Sequence, residues 1–493
     1  MDDGKSLELC VPNYIVEPLL VASNSSTLDK ALVRLIEISK APDGRSELAS
    51  KNVLVPILKL CQSLCSLPSR HFLLLSLKLL RNLCAGEIDN QNLFIEQNGV
   101  GIVSSIVNSV VLASGSDYEI ILLSMQLLGN VSLAGEEHQL AVWRHFFLLE
   151  FLKIAKVRSK ETCDPLCMVI YTCCEGNDER LIELFTDQGL HILVEIIRTA
   201  AVAGFKEDWL KLLLSRICLD KSYFSPVFSK LFPVSTAENC DDDISRDNHY
   251  GGEHAFLLSI LSEILNERIM DVTVSNDFAL SILGILRNVV GIVDFTETPK
   301  SGLPTGLADV DVLGYSLTIL RDVCACGGAK WSKEDVSGDI VDMLVSFGLI
   351  EFLLSLLRDL EPPLIIRKTM RQSENQEATT SSSSKRCPYK GFRRDVVAII
   401  GNCGYSRKHV QNKIREQDGI LLLLQHCVID EDNPFLREWG IWSVRNILEG
   451  NRENQQVIAN LELRGSVDVP EITQLGLRVE VDPETRRAKL VNV

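Results

Sequence analysis

The sequence predicts an all-α protein built as a stack of helical repeats, an α-solenoid, and three observations carry that expectation. The chain has 493 residues, whereas a single hydrophobic core stops growing at about 250–300 residues, so several domains or one elongated array are needed. Hydrophobic residues make up 46% and aromatics only 6%, with Leu, Ile and Val dominant, a balance that suits helices packed on helices. One phrase also recurs: an apolar helix ending in Leu-x-Asn-Leu or a near variant, a polar turn, a short helix, and a Gly opening another apolar helix.

In the first copy, SLKLLRNLCAGEIDNQNLFIEQNGVGIVSSIV, Leu79, Leu80 and Leu83 form the apolar stripe and Asn82 sits beside it. Gly86 ends the helix and Gly99 marks the next turn. Later copies place Asn130, Thr172–Cys173, Asn288, Asp322, Asn402 and Asn446 at the matching position. Asn82 to Asn130 is 48 residues, Asn130 to Thr172 is 42 and Asn402 to Asn446 is 44. These intervals match the ~40–47 residues of armadillo-like and HEAT units and exclude the ~33–34 of ankyrin and tetratricopeptide repeats. The 34 residues from Asn288 to Asp322 point to a shortened unit, and the 80 from Asp322 to Asn402 to an insertion. The predicted fold is therefore an armadillo-like helical repeat superhelix. Each unit leaves apolar faces that only stacked neighbours can cover.

Helix boundaries fit this reading in NPFLREWGIWSVRNILEGN. Asn433 is expected to cap, Pro434 to open the first turn, and Gly450 to supply the left-handed stop of a helix spanning residues 434–449. Residues 239–252 are polar and acidic and are expected to form a loop, and residues 295–309, with two prolines and several glycines, an irregular connection. Residues 371–387 contain four consecutive serines and are expected to be a disordered insertion. The expected organisation is a helical array over residues 1–370, that linker, further helical repeats over 388–464, and a tail over 465–493. In that tail, LGLRVEVDPETRRAKLVNV alternates apolar and polar residues around Asp482–Pro483, as a small hairpin does, or an extended tail lying on the last helices.

The net charge is −16, which disfavours nucleic acid as the main partner, since such binding needs a basic face. Lys385 to Arg394 is the best local basic patch. No stretch approaches the ~20 uncharged apolar residues of a membrane span. The N-terminal MDDGKSLELC lacks the basic-then-apolar order of a signal peptide. A cytoplasmic location is expected, with perinuclear or nuclear presence also compatible. The fifteen cysteines are odd in number, scattered, and mostly set in apolar runs, as buried free thiols of a reducing compartment are.

No catalytic, metal or cofactor constellation stands out. Cys61/Cys65 and Cys163/Cys167 each place two thiols on one helix face, but no second ligand pair completes a zinc site. No phosphate loop, Gly-x-Ser-x-Gly elbow or His-Glu-x-x-His pair occurs. The repeated amides are the stronger candidates. Asn82, Asn130, Asn288, Asn402 and Asn446 either face a groove and pair with the backbone of an extended peptide, or hold their own inter-repeat turns. Peptide-groove armadillo proteins of the nuclear-import type add a Trp four residues before each Asn. That pair occurs once, Trp442 and Asn446, which makes a nuclear-import receptor a poor fit.

The C-terminal block resembles the ataxin-10 family. The residues that carry the likeness are Ile429 to Phe435 (IDEDNPF), Arg437-Glu438-Trp439, Arg445-Asn446, Gly450 to Gln455 (GNRENQ), and Leu475 to Val479 (LGLRV). The close match covers about one fifth of the chain, and residues 1–370 agree only in repeat architecture. The resemblance implies a cytoplasmic armadillo-fold protein linked to cell division and cell survival, which self-associates and binds partners without enzymatic activity. Arg437, Glu438, Trp439, Trp442, Arg445 and Asn446 are the partner-binding candidates of this block. Arg445 and Glu449 could instead form an i,i+4 pair worth about 0.3 kcal/mol.

The function expected is thus a non-enzymatic protein–protein interaction scaffold. The alternative is an armadillo-type assembly or nucleotide-exchange factor gripping a small GTPase or chaperone client. Other proteins, and a second copy of the chain, are the expected partners; no nucleic acid, membrane or cofactor is.

Overall fold

The structure is a computed structural model that describes residues 26–64, 70–111, 117–221, 223–233, 249–268, 271–296, 301–326, 339–367, 385–461, 477–481 and 488–492. Most of the expected acidic loop, residues 239–248, and most of the serine-rich insertion, residues 371–384, lie outside those residues. The chain forms two compact units, Met1–Cys240 with Gly251–Ile264, and Asp241–Tyr250 with Leu265–Val493.

The first unit repeats one pattern: a long helix, a shorter one, then a third. Four such triplets are Ser26–Ile38, Pro42–Ser50 and Leu54–Leu64; Arg70–Leu83, Ile88–Glu96 and Gly99–Val111; Tyr118–Ser132, Glu136–Phe146 and Leu149–Ala155; and Lys160–Cys174, Asp178–Leu184 and Asp187–Ala203. Their ends follow local chemistry. Asp117, Ser159, Asn177 and Thr186 each accept a backbone N–H of the helix they precede, answering donors that a first turn leaves unpaired. Gly86 and Gly204 take φ of +69° and +63° at helix ends, a conformation glycine adopts without a Cβ clash.

The second unit holds Asn276–Val290, the triplet Ala308–Cys326, Ile340–Ser346 and Leu349–Asp359, the triplet Phe392–Gly404, Lys408–Glu416 and Gly419–Leu424, and a final pair, Leu436–Leu448 and Arg452–Ala459. Among the described residues Asn276–Val290 and Ala308–Cys326 stack with no helix between them, which accounts for the short Asn288–Asp322 interval. Between Ala308–Cys326 and Phe392–Gly404 the two remaining helices of a repeat are in place, followed by the insertion. Residues 291–296 and 301–307 hold no helix or strand, as expected of the irregular connection, whose last two expected residues, 308 and 309, already belong to the next helix; residues 297–300 lie outside the described residues. Strands Leu477–Val481 and Ala488–Asn492 pair antiparallel, Leu477 opposite Asn492, as the alternation predicts.

In each unit the long helices stack directly on one another: Arg70–Leu83 on Tyr118–Ser132 on Lys160–Cys174, and Ala308–Cys326 on Phe392–Gly404 on Leu436–Leu448. The faces they bury are leucine, isoleucine and valine, such as Leu77, Leu80, Leu127 and Leu128 in one unit and Leu317, Val396, Ile400 and Ile447 in the other. Ten of the twelve described cysteines are buried, and burial pushes Cys173 up to about 11 and Cys174 to about 12. At neutral pH Cys173 and Cys174 are protonated and act as small apolar side chains.

No single helix among the described residues is long and apolar enough to cross a membrane. The bent pair Ile340–Ser346 and Leu349–Asp359 is apolar because Ile340, Leu344, Leu349, Leu353 and Leu354 are core residues.

One boundary differs from expectation. The last long helix begins at Leu436, not Pro434, and runs to Leu448. Asn433 caps a different helix: its Oδ1 accepts the backbone N–H of Arg393 at 2.9 Å, at the start of Phe392–Gly404. A capping side chain serves whichever unpaired N–H packs against it, and here the neighbouring repeat brings Arg393 closer than its own chain does.

Candidate functional site

The recurring asparagines tie each long helix to the one before it. Asn130 Nδ2 donates to the carbonyl of Arg81 at 2.9 Å, Asn402 to that of Arg321 at 3.1 Å, and Asn446 to that of Gly401 at 3.0 Å. In every case the acceptor is the residue just before the matching Asn or Asp of the preceding repeat. Asn82, in the second triplet, donates to Ser39 Oγ at 3.1 Å. Asn288 departs from the pattern: it is exposed, and its side chain hydrogen-bonds Tyr250. The amide thus bonds across repeats, not within its own turn.

A second set of bonds, invisible in the sequence, runs beside the first. Gln91 Nε2 donates to the carbonyls of Cys84 at 3.0 Å and Asn130 at 2.8 Å. Gln411 repeats this in the other unit, donating to Gly404 at 3.1 Å and Asn446 at 2.9 Å. Each glutamine lies seven residues past the first of these acceptors, at the end of its own long helix, and so satisfies C-terminal carbonyls of two successive helices. The only sequence signal was a polar residue at a buried position of a short helix.

Asp322 stands where the other repeats have an amide, and it cannot donate. Its Oδ1 accepts from Arg321 Nε at 2.9 Å, while Oδ2 is buried without a partner. Burial holds its carboxyl above the ordinary range, against the pull of Arg321. We expect Asp322→Asn to stabilise the second unit by about 1 kcal/mol at neutral pH, by removing a buried unpartnered acceptor and offering a donor to the carbonyl of Arg287. A carboxyl raised on folding contributes stability that is lost as pH rises through the raised value. The variant's advantage in urea unfolding should therefore shrink as the pH is lowered from neutral through that raised value to ~4, and level off below it; an equal advantage at all pH values would contradict this account.

Five of the candidates converge at one place. A groove of about 470 Å³ is lined by Cys324 and Ala325 of one long helix, Asn402 of the next, and Glu438, Trp439, Trp442 and Asn446 of the last, with Tyr405, Arg407 and Phe435 from the flanking turns. Trp439, Trp442 and Asn446 follow one another at spacings of three and four, one face of a helix, and Phe435 stands in the turn just before its first residue. The adjacent stripe, Leu436, Gly440, Ser443 and Ile447, is buried.

Five large aromatic residues are exposed among those described, and three of them, Tyr405, Phe435 and Trp442, line this groove. Phe435 is 68% exposed at a φ of +65°. That region is unusual for a bulky side chain, and sequence reasoning had no signal for it. Arg445 lies over the Trp442 ring, its guanidinium 5.0 Å from the centroid; this contact takes the place of the expected pairing with Glu449. Arg437 pairs with Glu438 at 3.2 Å and does not line the groove. Arg407, the cation that does, is held by Asp339 at 2.6 Å with Asp342 at 3.5 Å.

Stacked repeats of long, short and third helices, joined amide to carbonyl, define an armadillo-like α-solenoid. Residues 392–491 match the family model described as the Spinocerebellar ataxia type 10 protein domain. The chain is 25% identical to Ataxin-10 of Homo sapiens over 409 residues, 81% of this chain and 78% of that one. It is 39% identical to the Ataxin-10 homolog of Dictyostelium discoideum over 104 residues, 21% of this chain and 17% of that one. The resemblance to the ataxin-10 family is thereby shown, and it extends well beyond the C-terminal block into the helical array. Among solved structures, a designed armadillo repeat protein in complex with the peptide (KR)4 aligns with a TM-score of 0.34 and 19% identity, covering 45% of this chain and 92% of that one.

Proposed function

We propose that this chain is a non-catalytic scaffold that holds another protein in the groove beside Leu436–Leu448. The observation that carries the reading is the aromatic stripe. Tyr405, Phe435 and Trp442 are exposed around one concavity in a chain with 6% aromatics, and buried aromatic anchors dominate the energetics of protein interfaces. The ladder beneath keeps that surface fixed, since both groove asparagines are bonded to the preceding repeat, and a preorganised surface loses less entropy on binding. A cytoplasmic location and a link to cell division follow the resemblance to the ataxin-10 family. Purification from cells with wild type and the Trp439→Ala/Trp442→Ala double variant, followed by mass spectrometry, tests the reading. Partners should be lost selectively from the variant; retention of every partner would falsify the groove as the docking site.

A further inference from the structure

Resting on that reading, we propose a chemical class for the occupant: an extended partner segment bearing arginine, whose guanidinium lies on Trp439 with Glu438 as its counter-charge. The groove offers acceptors and flat aromatic faces. Asn402 and Asn446 both line it, their Nδ2 atoms donate to Arg321 and Gly401, and their Oδ1 atoms take no hydrogen bond from any described residue. Glu438 adds a carboxylate whose side chain is 49% exposed. A ligand that completes this site must bring donors.

Charge selects further. Arg407, the cation in the lining, is neutralised by Asp339 and Asp342, so it does not oppose a cationic visitor. Arg437 and Arg445, just outside the lining, are engaged on Glu438 and on Trp442. An arriving guanidinium shares Glu438 with Arg437, and the whole chain carries −16, which attracts cationic partners. Arg445 on Trp442 also shows within the molecule that this helix face accepts a guanidinium on indole. Trp439 lines the groove three residues earlier, and among the described residues no cation lies over it.

Arginine fits better than lysine for geometric reasons. Its planar group stacks on indole and carries five donors in fixed directions, enough to reach a carboxylate and a neighbouring amide oxygen while it stacks. An ammonium ion is a more strongly hydrated point charge and gains less from the ring.

The test uses the full chain with short fluorescent peptides of alternating Gly and Arg, Gly and Lys, and Gly and Glu, read by anisotropy at physiological salt. The arginine peptide should bind, the lysine peptide several-fold more weakly, and the glutamate peptide undetectably. Trp439→Ala and Glu438→Gln should each weaken the arginine peptide by about tenfold, as loss of a desolvated cation–π or charge contact does. Glu438 is on the surface, so Glu438→Gln must keep the wild-type melting temperature. Equal binding of the lysine and arginine peptides, or binding that survives both substitutions, overturns the proposal and leaves bulk charge as the cause. A molecular mass that doubles with concentration, and stays single in Trp439→Ala, makes the occupant a second copy and also overturns it. If the arginine peptide fails while cellular partners are still lost from the Trp439→Ala/Trp442→Ala variant, this proposal falls and the groove reading stands.

Discussion

Replacing Gly401 by valine should cost the second unit about 3 kcal/mol, near the top of the range for overpacking a well-packed core. A Cβ on Gly401 would stand 2.8 Å from both the Cα and the Cβ of Ser443, closer than real side chains approach. Ser443 is fully buried and belongs to the facing long helix, so it has nowhere to retreat. Separating the helices would also strain two bonds that cross at this point, Ser443 Oγ to the carbonyl of Val397 at 2.9 Å and Asn446 Nδ2 to the carbonyl of Gly401 at 3.0 Å. Gly284 provides the contrast. It too lies inside a long helix, Asn276–Val290, but a Cβ there meets nothing within 4 Å. Gly284→Ala should therefore stabilise by about 0.5–1 kcal/mol, the ordinary helix penalty of glycine. Urea unfolding of the two variants beside wild type checks both signs. Equal midpoints for Gly401→Val and wild type would mean that the helix pair yields without loss.

That asymmetry between two mid-helix glycines marks where the sequence stops being informative. The interval between repeats, the glycine stops at Gly86 and Gly450 and the alternation of the C-terminal strands were all legible, because each depends on neighbours along the chain. What the amides do was not. The sequence left Asn130, Asn402 and Asn446 between a groove and a turn, and the structure puts Nδ2 of each on a carbonyl some 45 to 81 residues away. Such a partner is chosen by stacking, which local pattern does not encode. Asn433 was misassigned for the same reason: its side chain serves Arg393, 40 residues distant. Arg445 had two local options, Glu449 and Trp442, and took the aromatic face. Of the groove, the candidates Asn402, Glu438, Trp439, Trp442 and Asn446 were found from sequence. Tyr405, Arg407 and Phe435 were missed because they sit in turns, where no helical period points to them.

Phe435 separates stability from binding, and its two smallest replacements should behave differently. At a φ of +65° a side chain with a Cβ costs roughly 1–2 kcal/mol relative to glycine. The ring contributes little to the core, being 68% exposed. Phe435→Gly relieves the strain but makes the unfolded chain more flexible, a loss of about 0.5–1 kcal/mol. The net expectation is a gain of about 0.5 kcal/mol in folding stability, together with loss of the partners held in the groove. Phe435→Ala keeps the Cβ, and so keeps the strain, while removing the ring. It should lose partners to the same extent with no gain in melting temperature. This pattern distinguishes a residue retained for an interface from one retained for the fold. Were Phe435→Gly to melt several degrees lower than wild type, the ring would belong to the core of Leu436–Leu448 and the strained turn would need a structural explanation. If both variants melt as expected and keep every partner, the aromatic stripe begins at Trp439, and the contact area of the docking surface is smaller by one ring.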